Sequence, residues 1–447
     1  MNNTPEKICS PSSDRARSIW TQSLELPKFE ALKHDLKTDV LIIGGGIAGL
    51  LCAYLLDQVG VAYTLVEAER ICGGITKNTT AKITAQHGLI YTKLIRTFGS
   101  EKARMYLHIN QKALEKYRSL SQNIDCNFQE RSSAVYSLND RRKIEKELES
   151  LQKIGFPAKL ASELPLPFSV AGAVCFERQA QFHPLKFLSA ISKKLRIFEN
   201  TRVLELMPGA AVTQHGAIRA EKIIVATHFP FLNKHGSYFL KLYQHRSYVL
   251  ALKNAPEVRD MYVDESDTGL SFRSFEDLLL LGGGGHRTGK KGGGWRELEG
   301  FARQNYSDIQ IIERWATQDC MTLDGVPYVG QYSKRTPNLY VATGFNKWGM
   351  TSAMAAAMLL VDLVLGKENP CSELFSPSRT ILRPQLTVNA AESALHLLTP
   401  TAPRCPHMGC ALKYNRQEHS WDCPCHGSRF TEDGRLIDNP ATGDKKH

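Results

Sequence analysis

Near the front of the chain, the order of apolar and polar positions predicts a strand, a helix and a second strand. Residues 40–43 are all apolar, which is typical of a strand buried on both faces. A glycine-rich turn follows, and a helical pattern then runs through Leu56. A second apolar run, residues 63–66, ends on the acidic Glu67. Strands that alternate with a helix in this way favour a parallel sheet.

Further patterns along the chain predict both helices and strands. Apolar residues recur three and four positions apart in residues 101–120 and 141–154, which predicts two amphipathic helices. Small and apolar residues predict another helix at 352–365. Short alternating runs at 246–252 and 270–275 predict strands. This mixture indicates a fold that contains both helices and sheets.

The turn after the first strand has the spacing of a dinucleotide-binding loop. Gly44 permits a tight turn, Gly46 lets the backbone approach a pyrophosphate, and Gly49 lets the helix pack closely on the strand. The helix N-terminus then faces the phosphates, and Glu67 can accept hydrogen bonds from ribose hydroxyls. The predicted dinucleotide contacts are Gly44, Gly46, Ile47, Ala48, Gly49 and Glu67. This pattern alone does not distinguish FAD from NAD.

A second glycine-rich segment, residues 282–289, does not add another dinucleotide site. No register of it fits Gly-x-Gly-x-x-Gly, and it follows an apolar run. We therefore predict a strand that is followed by a mobile turn. The sequence thus argues against a reductase that is supplied with electrons by a pyridine nucleotide.

The C-terminal stretch has two loops that each carry one cysteine and one histidine. Cys405 and His407 form the first pair, and Cys423 and His426 form the second. Two thiolates and two imidazoles are the ligands of a Rieske [2Fe–2S] cluster, where the thiolates hold one iron and the imidazoles the other. A tetrahedral zinc site is the alternative, but zinc sites usually separate the cysteine pair from the histidine pair. The Pro-Cys-His-Gly-Ser run at 424–428 also resembles the Rieske signature.

Two further cysteines lie beside these ligands. The tail resembles the Rieske proteins of cytochrome bc complexes, in which cysteines at the positions of Cys410 and Cys425 join the two cluster loops. The resemblance therefore implies a disulfide between Cys410 and Cys425. Two free buried thiols are the alternative.

Motifs along most of the chain resemble the D-amino-acid-oxidase/glycine-oxidase family of FAD-dependent oxidoreductases, and in particular its bacterial members with a C-terminal Rieske domain. The matching segments are residues 38–67, 73–88, 182–187, 322–330 and 343–351, in the order of the family. The resemblance implies FAD as the dinucleotide. The further residues that it places around FAD are Thr79, Thr80, Lys82, Gly344, Gly349 and Met350.

Two other features concern the flavin. An apolar strand ends in the small residues Ala226 and Thr227, and we expect this strand tip to close over the nucleotide. Some members of the family attach the flavin through a cysteine near the position of Cys320, but the spacing here does not match. We therefore expect FAD to be bound without a covalent link.

The predicted architecture is α/β: a Rossmann-type FAD-binding domain, a discontinuous mixed-sheet α+β substrate domain, and a small all-β Rieske module. The predicted bounds are 1–37 for an N-terminal arm, 38–125, 179–230 and 319–370 for the FAD-binding domain, 126–178 and 231–318 for the substrate domain, 371–384 for a linker, and 385–447 for the module. Strands of the module are predicted at 394–398, 411–414 and 418–422. So short a module is unlikely to be stable alone, and we expect it to share core with the flavin domain.

Composition narrows the choice of partners. The chain has 447 residues, of which 42% are hydrophobic and 23% charged, as is typical of a globular protein. Its net charge of +11 is spread along the sequence, which favours a solvated basic surface over nucleic-acid binding. The first residues have no apolar core, and the longest apolar run, 353–365, contains Asp362. We therefore expect no signal peptide and no membrane span, and predict a cytoplasmic protein.

The predicted reaction is the oxidation of an amine or amino acid at the flavin, with electrons passed singly to the cluster and then to an external acceptor protein. A dehydrogenase is favoured because an oxidase that returns electrons to O₂ needs no iron–sulfur cluster. One alternative is a reductase in which an external donor supplies electrons through the cluster. The other is a redox sensor that does not catalyse a reaction.

Four side chains are candidates for charge binding or proton handling beside the flavin: His87, Arg246, His286 and Lys347. Each also has a purely structural interpretation. His87 can satisfy a buried carbonyl, Arg246 can pair with a neighbouring carboxylate, and Lys347 can lie at the surface.

Overall fold

The computed structural model describes residues 16–22, 24–232, 235–400 and 402–445, so the first fifteen residues of the predicted N-terminal arm lie outside it. The helices are α1 (Ile47–Gln58), α2 (Ile90–Ser121), α3 (Arg141–Lys153), α4 (Pro184–Ser192), α5 (Tyr238–Lys241), α6 (Trp295–Asn305), α7 (Gly349–Val364), α8 (Ser372–Phe375) and α9 (Pro384–Leu398). Among the described residues, no helix is long and apolar enough to cross a membrane.

The strands divide among three sheets. They are β1 (Leu36–Ile43), β2 (Tyr63–Val66), β3 (Lys82–Ile83), β4 (Gln129–Ser137), β5 (Lys159–Ala161), β6 (Gly172–Gln181), β7 (Ile197–Phe198), β8 (Val203–Met207), β9 (Ala210–Thr213), β10 (Gly216–Val225), β11 (Leu242–Lys253), β12 (Met261–Asp264), β13 (Ser271–Phe275), β14 (Leu278–Arg287), β15 (Gln310–Thr322), β16 (Tyr328–Gln331), β17 (Leu339–Thr343), β18 (Lys413–Asn415), β19 (Ser420–Asp422), β20 (Arg429–Thr431) and β21 (Leu436–Asp438).

The first sheet holds the predicted dinucleotide motif. Its strand order is β16-β17-β10-β1-β2-β7, and β9 and β8 extend it from β10. The pairs from β17 to β7 are all parallel, because helical crossovers return the chain to the same edge. Residues 40–43 are buried, and α1 and α7 share one hydrophobic core with β1. This sheet therefore has the Rossmann-type arrangement that the apolar runs predicted.

The second sheet is mixed. Its strand order is β15-β11-β14-β13-β12-β4-β6-β3, with β5 beside β6. Only β12 and β4 pair in parallel, and the other pairs are antiparallel. The predicted strands at 246–252 and 270–275 lie within β11 and β13. This is the mixed sheet that was expected for the substrate domain.

The third sheet is small and antiparallel, with strand order β18-β19-β20-β21. It forms the all-β part of the C-terminal module, so the predicted fold class is confirmed. The strand predicted at 394–398, however, is wrong because these residues end α9. Pro384 begins this helix, and a short alternation near its end does not outweigh the preceding helix-forming residues.

The glycine-rich segment at 282–289 also differs from the prediction. The strand β14 continues through all four glycines and ends at Arg287. It pairs with β13 as far as Gly282 and with β11 on the other side, where the pairing is interrupted by a bulge between Gly283 and His286 and Gly284 has a φ of 61°. A Cβ atom at Gly282 would lie 2.6 Å from the Ser271 Oγ, so the Ser271 hydroxyl on the neighbouring strand would have to rotate to make space for it. The predicted strand is thus longer than expected, and the turn that follows it begins only at Thr288.

The predicted linker is fixed to the first domain by a buried ion pair. Arg379 donates to both carboxylate oxygens of Asp324, at 2.8 Å each, and its guanidinium lies 3.8 Å from the centre of the Tyr328 ring. Burial opposes the charge on Asp324, but the hydrogen bonds and charge of Arg379 hold the net pKa of this carboxyl below its usual value. The segment at 371–384 is therefore an integral part of the fold at this point.

We predict that Asp324→Asn lowers the free energy of unfolding by about 1.5–3 kcal/mol, because it removes a hydrogen bond between charged groups and leaves Arg379 buried without its counter-charge. The midpoint of guanidinium unfolding measures this change. Asp277→Asn is the control, since Asp277 and Lys253 form an ion pair in which both side chains are about half exposed or more. An equal shift in the two variants would contradict the prediction.

Candidate active site and iron–sulfur site

A cavity of about 1440 Å³ is lined by residues of the first and second sheets. It collects the residues that the sequence assigns to FAD, with the exception of Gly49. Those that line it are Gly44, Gly46, Ile47, Ala48, Glu67, Thr79, Thr80, Lys82, Ala226, Thr227, Gly344, Gly349 and Met350. They come from distant parts of the chain and form one continuous wall.

The glycines of the first turn lie where a side chain would not fit. Gly44 has a φ of 112°, and a Cβ atom there would lie 2.6 Å from the carbonyl oxygen of Ala226. Gly49 faces away from the cavity, and its Cβ would lie 1.9 Å from the Gly44 oxygen. Gly46 precedes the first turn of α1 and has no side chain to cap that helix end. The N-terminus of α1 can therefore face the phosphates of a dinucleotide.

Glu67 holds the glycine loop at the end of β2. Its carboxylate accepts from the backbone N–H groups of Gly45 at 2.7 Å and Glu69 at 3.0 Å. Burial raises the pKa of Glu67, and these two donors oppose the increase. The residue lines the cavity where a ribose would follow the loop, which suits the acceptor role predicted from its position.

On another part of the wall, Lys82 lies between two hydroxyl groups. Its Nζ is 3.3 Å from the Thr80 Oγ1 and 3.4 Å from the Ser271 Oγ. Burial, together with the nearby charge of Arg273, lowers the pKa of Lys82 to about 7. A lysine with no carboxylate partner among the described residues can donate to an anionic or carbonyl group in the cavity.

The loop from Gly344 to Gly349 closes the cavity at the start of α7. The Asn346 Oδ1 accepts from the backbone N–H of Thr322 at 2.8 Å, and the Asn346 N–H donates to the Cys320 carbonyl at 3.0 Å. Gly344 has a φ of 74°, and a Cβ atom there would lie 2.3 Å from the Thr322 Cγ2. These contacts fix the loop so that the N-terminus of α7 faces the cavity.

Two of the four predicted catalytic candidates, His87 and Lys347, line the cavity. The His87 Nδ1 lies 2.6 Å from the Tyr106 hydroxyl, and its Nε2 lies 2.9 Å from both the Thr84 carbonyl and the Thr351 hydroxyl. Burial lowers the pKa of His87 to about 3. The imidazole is thus neutral and engaged at both nitrogens, which suits a positioning role.

The other two candidates lie on the opposite face of the second sheet. Arg246 and His286 are directly paired across β11 and β14. Arg246 donates to Glu418 of the C-terminal module at 3.0 Å, and the His286 Nε2 lies 3.2 Å from the Tyr248 hydroxyl. The prediction that these two side chains act beside the flavin is therefore corrected. The alternation of side chains along a strand sends them away from the cavity.

The four predicted cluster ligands converge at the end of the C-terminal module. The thiols of Cys405 and Cys423 are hydrogen-bonded to each other, and the rings of His407 and His426 are 4.9 Å apart. Burial lowers the pKa of His407 to about 4 and that of His426 to about 3, so both imidazoles are neutral at pH 7. The His426 Nδ1 is buried and has no hydrogen-bond partner among the described residues. Two thiols beside two neutral imidazoles fit a Rieske [2Fe–2S] cluster.

The cluster loops are joined by a disulfide between Cys410 and Cys425, whose Cα atoms are 6.7 Å apart. The backbone also links the loops to the strands beside them. The Cys423 N–H donates to the Ser428 carbonyl at 2.8 Å, and the Ser428 hydroxyl accepts from the Ala441 N–H at 3.0 Å. The ligands are thus held by one covalent bond and several backbone hydrogen bonds.

The module is docked on the domain that forms the cavity. The Gln244 Nε2 donates to the carbonyl oxygen of His426 at 3.1 Å, and its Oε1 lies 3.1 Å from the His228 Nε2. His228 follows Thr227 and lines the cavity. Asn439 of the module donates to the carbonyl of Thr227 at 2.6 Å. A short chain of hydrogen bonds therefore connects the cavity wall to a cluster ligand.

Sequence reasoning missed several residues of this arrangement. Gln244 and Gln318 contact the cluster loops at His426 and Gly427, and Asp319 lines the cavity. None of the three lies in a glycine-rich or cysteine–histidine motif. Side chains alternate between the two faces of β11 and β15, and this alternation could have assigned Gln244 and Gln318 to one face and Asp319 to the other. It could do so only once both strands and their pairing were known.

These two sites define the class of the protein as an FAD-dependent oxidoreductase with an iron–sulfur module. The chain belongs to the FAD-dependent oxidoreductase family (DAO), which it matches over residues 39–363, and it carries a Rieske [2Fe-2S] domain that matches over 385–446. FAD and a [2Fe–2S] cluster are accordingly its cofactors.

Relatives and solved structures agree with this classification. A Rieske 2Fe-2S iron-sulfur protein of Bacillus subtilis, YhfW, is 35% identical, with 96% of this chain and 97% of that protein covered. Gamma-glutamylputrescine oxidoreductase of Escherichia coli is 23% identical over 76% of this chain and 86% of its own. The structure of glycine oxidase from Geobacillus kaustophilus covers 77% of this chain and 100% of its own, with a TM-score of 0.65 and 18% identity, and shows a common fold.

Proposed function

We propose that this protein is a dehydrogenase that oxidises an amine or amino acid and delivers the electrons, one at a time, to an external acceptor protein. When bound, FAD accepts a hydride from a C–H bond next to nitrogen, and the cluster carries single electrons. The observation that supports this proposal best is the docking of the module. Gln244 connects the cavity wall at His228 to the cluster ligand His426 by two hydrogen bonds.

The chain's own residues bind and orient the reactants in this proposal. Gly44, Gly46 and Glu67 hold the dinucleotide along the first sheet, and the fixed loop at Gly344–Gly349 offers backbone donors at the N-terminus of α7. Lys82 provides an amine with a lowered pKa of about 7 on the same wall. It can therefore donate or accept a proton at Nζ near neutral pH.

The relatives support the choice of substrate class. The name of the Escherichia coli relative, gamma-glutamylputrescine oxidoreductase, describes an enzyme that acts on an amine derivative. We propose an amine or amino acid as the substrate, an external acceptor protein and a cytoplasmic location. We also propose the domain bounds that the sequence predicts, and roles beside the flavin for His87 and Lys347, which line the cavity.

An anaerobic screen of amines and amino acids tests the proposed function. The oxidised holoenzyme is mixed with each donor, flavin bleaching is followed by absorbance, and the reduced cluster is followed by electron paramagnetic resonance. Bleaching with simultaneous appearance of the cluster signal is the expected result. Peroxide formation in air with a silent cluster would indicate an oxidase, and reduction of the cluster only by an external donor protein would indicate the reverse flow of electrons.

We predict that the variant Cys423→Ser loses the cluster and keeps the reaction at the flavin. Loss of one thiolate ligand should abolish the cluster signal, while the flavin still bleaches with the same donor, because Cys423 lies in the module and not in the cavity wall. Transfer of electrons to a one-electron acceptor should be lost. Cys175→Ser, which changes a free thiol in β6 of the second sheet, is the control and should retain both signals. Acceptor reduction at the normal rate by Cys423→Ser would refute the proposed route.

A further inference from the structure

The carboxylate of Asp319 in the cavity wall has no partner among the described residues. Asp319 lies on β15 and lines the cavity, whereas the preceding Gln318 donates to the Gly427 carbonyl of the module at 2.9 Å. Alternation along the strand thus separates the two side chains onto opposite faces. Among the residues that the structure describes, none forms a hydrogen bond or an ion pair with the Asp319 carboxylate.

Asp319 lies close to the loop that precedes α7. The next residue, Cys320, accepts from the Asn346 N–H of that loop at 3.0 Å, and Lys347 of the loop lines the same cavity. The Lys347 Nζ donates to the backbone carbonyl of Asp267 at 3.1 Å and lies 3.6 Å from its carboxylate. The charge of Lys347 is therefore shared with Asp267, and Asp319 remains available.

The groups around Asp319 leave it ionised above pH 6. Burial raises the pKa of Asp319 to about 6, and the charges of Lys347 and Arg246 oppose this increase. The opposite residue on β11 is His245, which is neutral at pH 7 because burial lowers its pKa to about 4. The titratable and charged groups on the strands and loops around this position are Tyr243, His245, Arg246, Asp267, Arg287, Cys320 and Lys347.

The arginines of the second sheet near this region are occupied elsewhere. Arg246 pairs with Glu418, and Arg273 donates to the carbonyls of Thr80 and Ala81. Arg287 donates to two carbonyls of the module, at 3.1 Å each, and to the Asn389 side chain at 2.8 Å. None of these three guanidiniums lines the cavity: Arg246 and Arg287 are engaged by the module, and Arg273 is completely buried beside Trp20 and Phe275. None of them is therefore placed to bind a substrate carboxylate in the two-bond geometry that arginine favours.

We propose that Asp319 binds a positively charged nitrogen of the substrate, and that the protein therefore prefers a di- or polyamine to an α-amino acid. This inference rests on the proposed function, since it names the substrate class of the same cavity. A carboxylate in a partly buried wall attracts an ammonium group strongly and repels the carboxylate of an amino acid. Lys82 in the same cavity does not offset this at pH 8, because burial lowers its pKa to about 7. A diamine has one nitrogen for oxidation and a second for Asp319.

Ligand binding to the oxidised holoenzyme tests the proposal before the flavin is reduced. The initial perturbation of the flavin absorbance, recorded by anaerobic rapid mixing before any bleaching, is titrated with 1,5-diaminopentane and with glycine, for the wild type, Asp319→Asn and Asp319→Glu. We expect the diamine to bind more tightly than glycine to the wild type at pH 8. Asp319→Asn should weaken diamine binding at least about tenfold, whereas Asp319→Glu, which keeps the charge, should retain most of it.

The pH dependence provides a second measurement. Because the carboxylate must be ionised to attract the amine, diamine affinity in the wild type should fall as the pH decreases through about 6. This decrease should be absent in Asp319→Asn and present in Thr317→Val, an uncharged change on the same strand and the same cavity wall.

Three results would overturn the inference: no spectral change with the diamine, tighter binding of glycine than of the diamine, or equal diamine affinity in the wild type and Asp319→Asn. A different result would refute the proposed function and leave the inference about Asp319 intact. If the diamine binds through Asp319 but no donor bleaches the flavin, the binding role of Asp319 stands and the dehydrogenase reaction is refuted.

Discussion

Gly49→Ala is expected to yield a protein that is purified without most of its FAD. A Cβ atom at this position would lie 1.9 Å from the carbonyl oxygen of Gly44, which is backbone and has no alternative rotamer. The start of α1 would have to move away from β1, and the loop from Gly44 to Gly46 would move with it. Overpacking of this kind costs about 1–3 kcal/mol, which corresponds to a decrease of roughly 5- to 160-fold in FAD affinity if the loss falls on the bound state.

The flavin content per protein and the dissociation constant for FAD, measured by fluorescence quenching, check this prediction. Gly300→Ala is a matched control because Gly300 also lies inside a helix, α6, and a Cβ atom there would meet nothing within 4 Å. Alanine at Gly300 should raise stability by about 0.5–1 kcal/mol and leave FAD binding unchanged. Normal flavin content in Gly49→Ala would show that α1 can retract without disturbing the loop.

The glycine loop and the cluster ligands could be predicted from the sequence because their residues lie close together in the chain. Gly44, Gly46 and Glu67 belong to one strand–turn–helix–strand unit, so their spacing alone determines how the backbone approaches a dinucleotide. The four cluster ligands are similar, because each loop carries its own pair. In both cases, a few residues that are neighbours in the sequence supply all the groups that the cofactor requires.

The direction of the wrongly assigned side chains depends on the pairing of strands that are far apart in the sequence. Arg246 seemed suited to bind substrate, but β11 pairs with β14 and β15 in a register that turns Arg246 toward the module and Asp319 toward the cavity. A shift of one residue in that register would exchange the two faces. No local pattern in the sequence specifies it, since both faces of β11 are covered and polar residues occur on each.

The small module was predicted to share core with the flavin domain. In the structure, it also forms buried polar contacts with the second sheet, which belongs to the predicted substrate domain. The buried contacts include Gln244, Gln318 and the ion pair of Arg246 with Glu418. Buried polar contacts of this type require their partners to be in place, because each unpaired group is costly.

Glu418 is the central group of this contact. It accepts hydrogen bonds from Arg246 of the second sheet and, at 2.8 Å, from Arg429 of the module, and its side chain is 8% exposed. Arg429 also pairs with Asp422 at 3.0 Å and Asp438 at 3.1 Å. Burial alone would raise the pKa of Glu418, but the two arginines outweigh this effect and lower it to about 2.

We predict that Glu418→Ala weakens the docking of the module by about 3–5 kcal/mol, because two buried guanidiniums lose their shared carboxylate. In the variant, the visible circular dichroism of the cluster should then be lost at a lower temperature than that at which the flavin is released, which is followed by flavin fluorescence. In the wild type, the two events should coincide. Since the pKa of Glu418 is lowered on folding, its contribution is present above the unfolded pKa of about 4.3 and is lost as the pH falls toward about 2. The variant should lack this acid-dependent step.

Glu432→Gln is the control for this experiment, because Glu432 belongs to the same module but its side chain is 58% exposed and pairs only with exposed groups. It should leave the melting of the cluster signal unchanged. If Glu418→Ala and Glu432→Gln melt alike, the ion network does not fix the module to the second sheet, and hydrogen bonds such as those of Gln244, Gln318 and Arg287 carry the docking. In that case, Gln244→Leu rather than Glu418→Ala should separate the cluster from the cavity wall, and electron transfer between the two cofactors should slow with it.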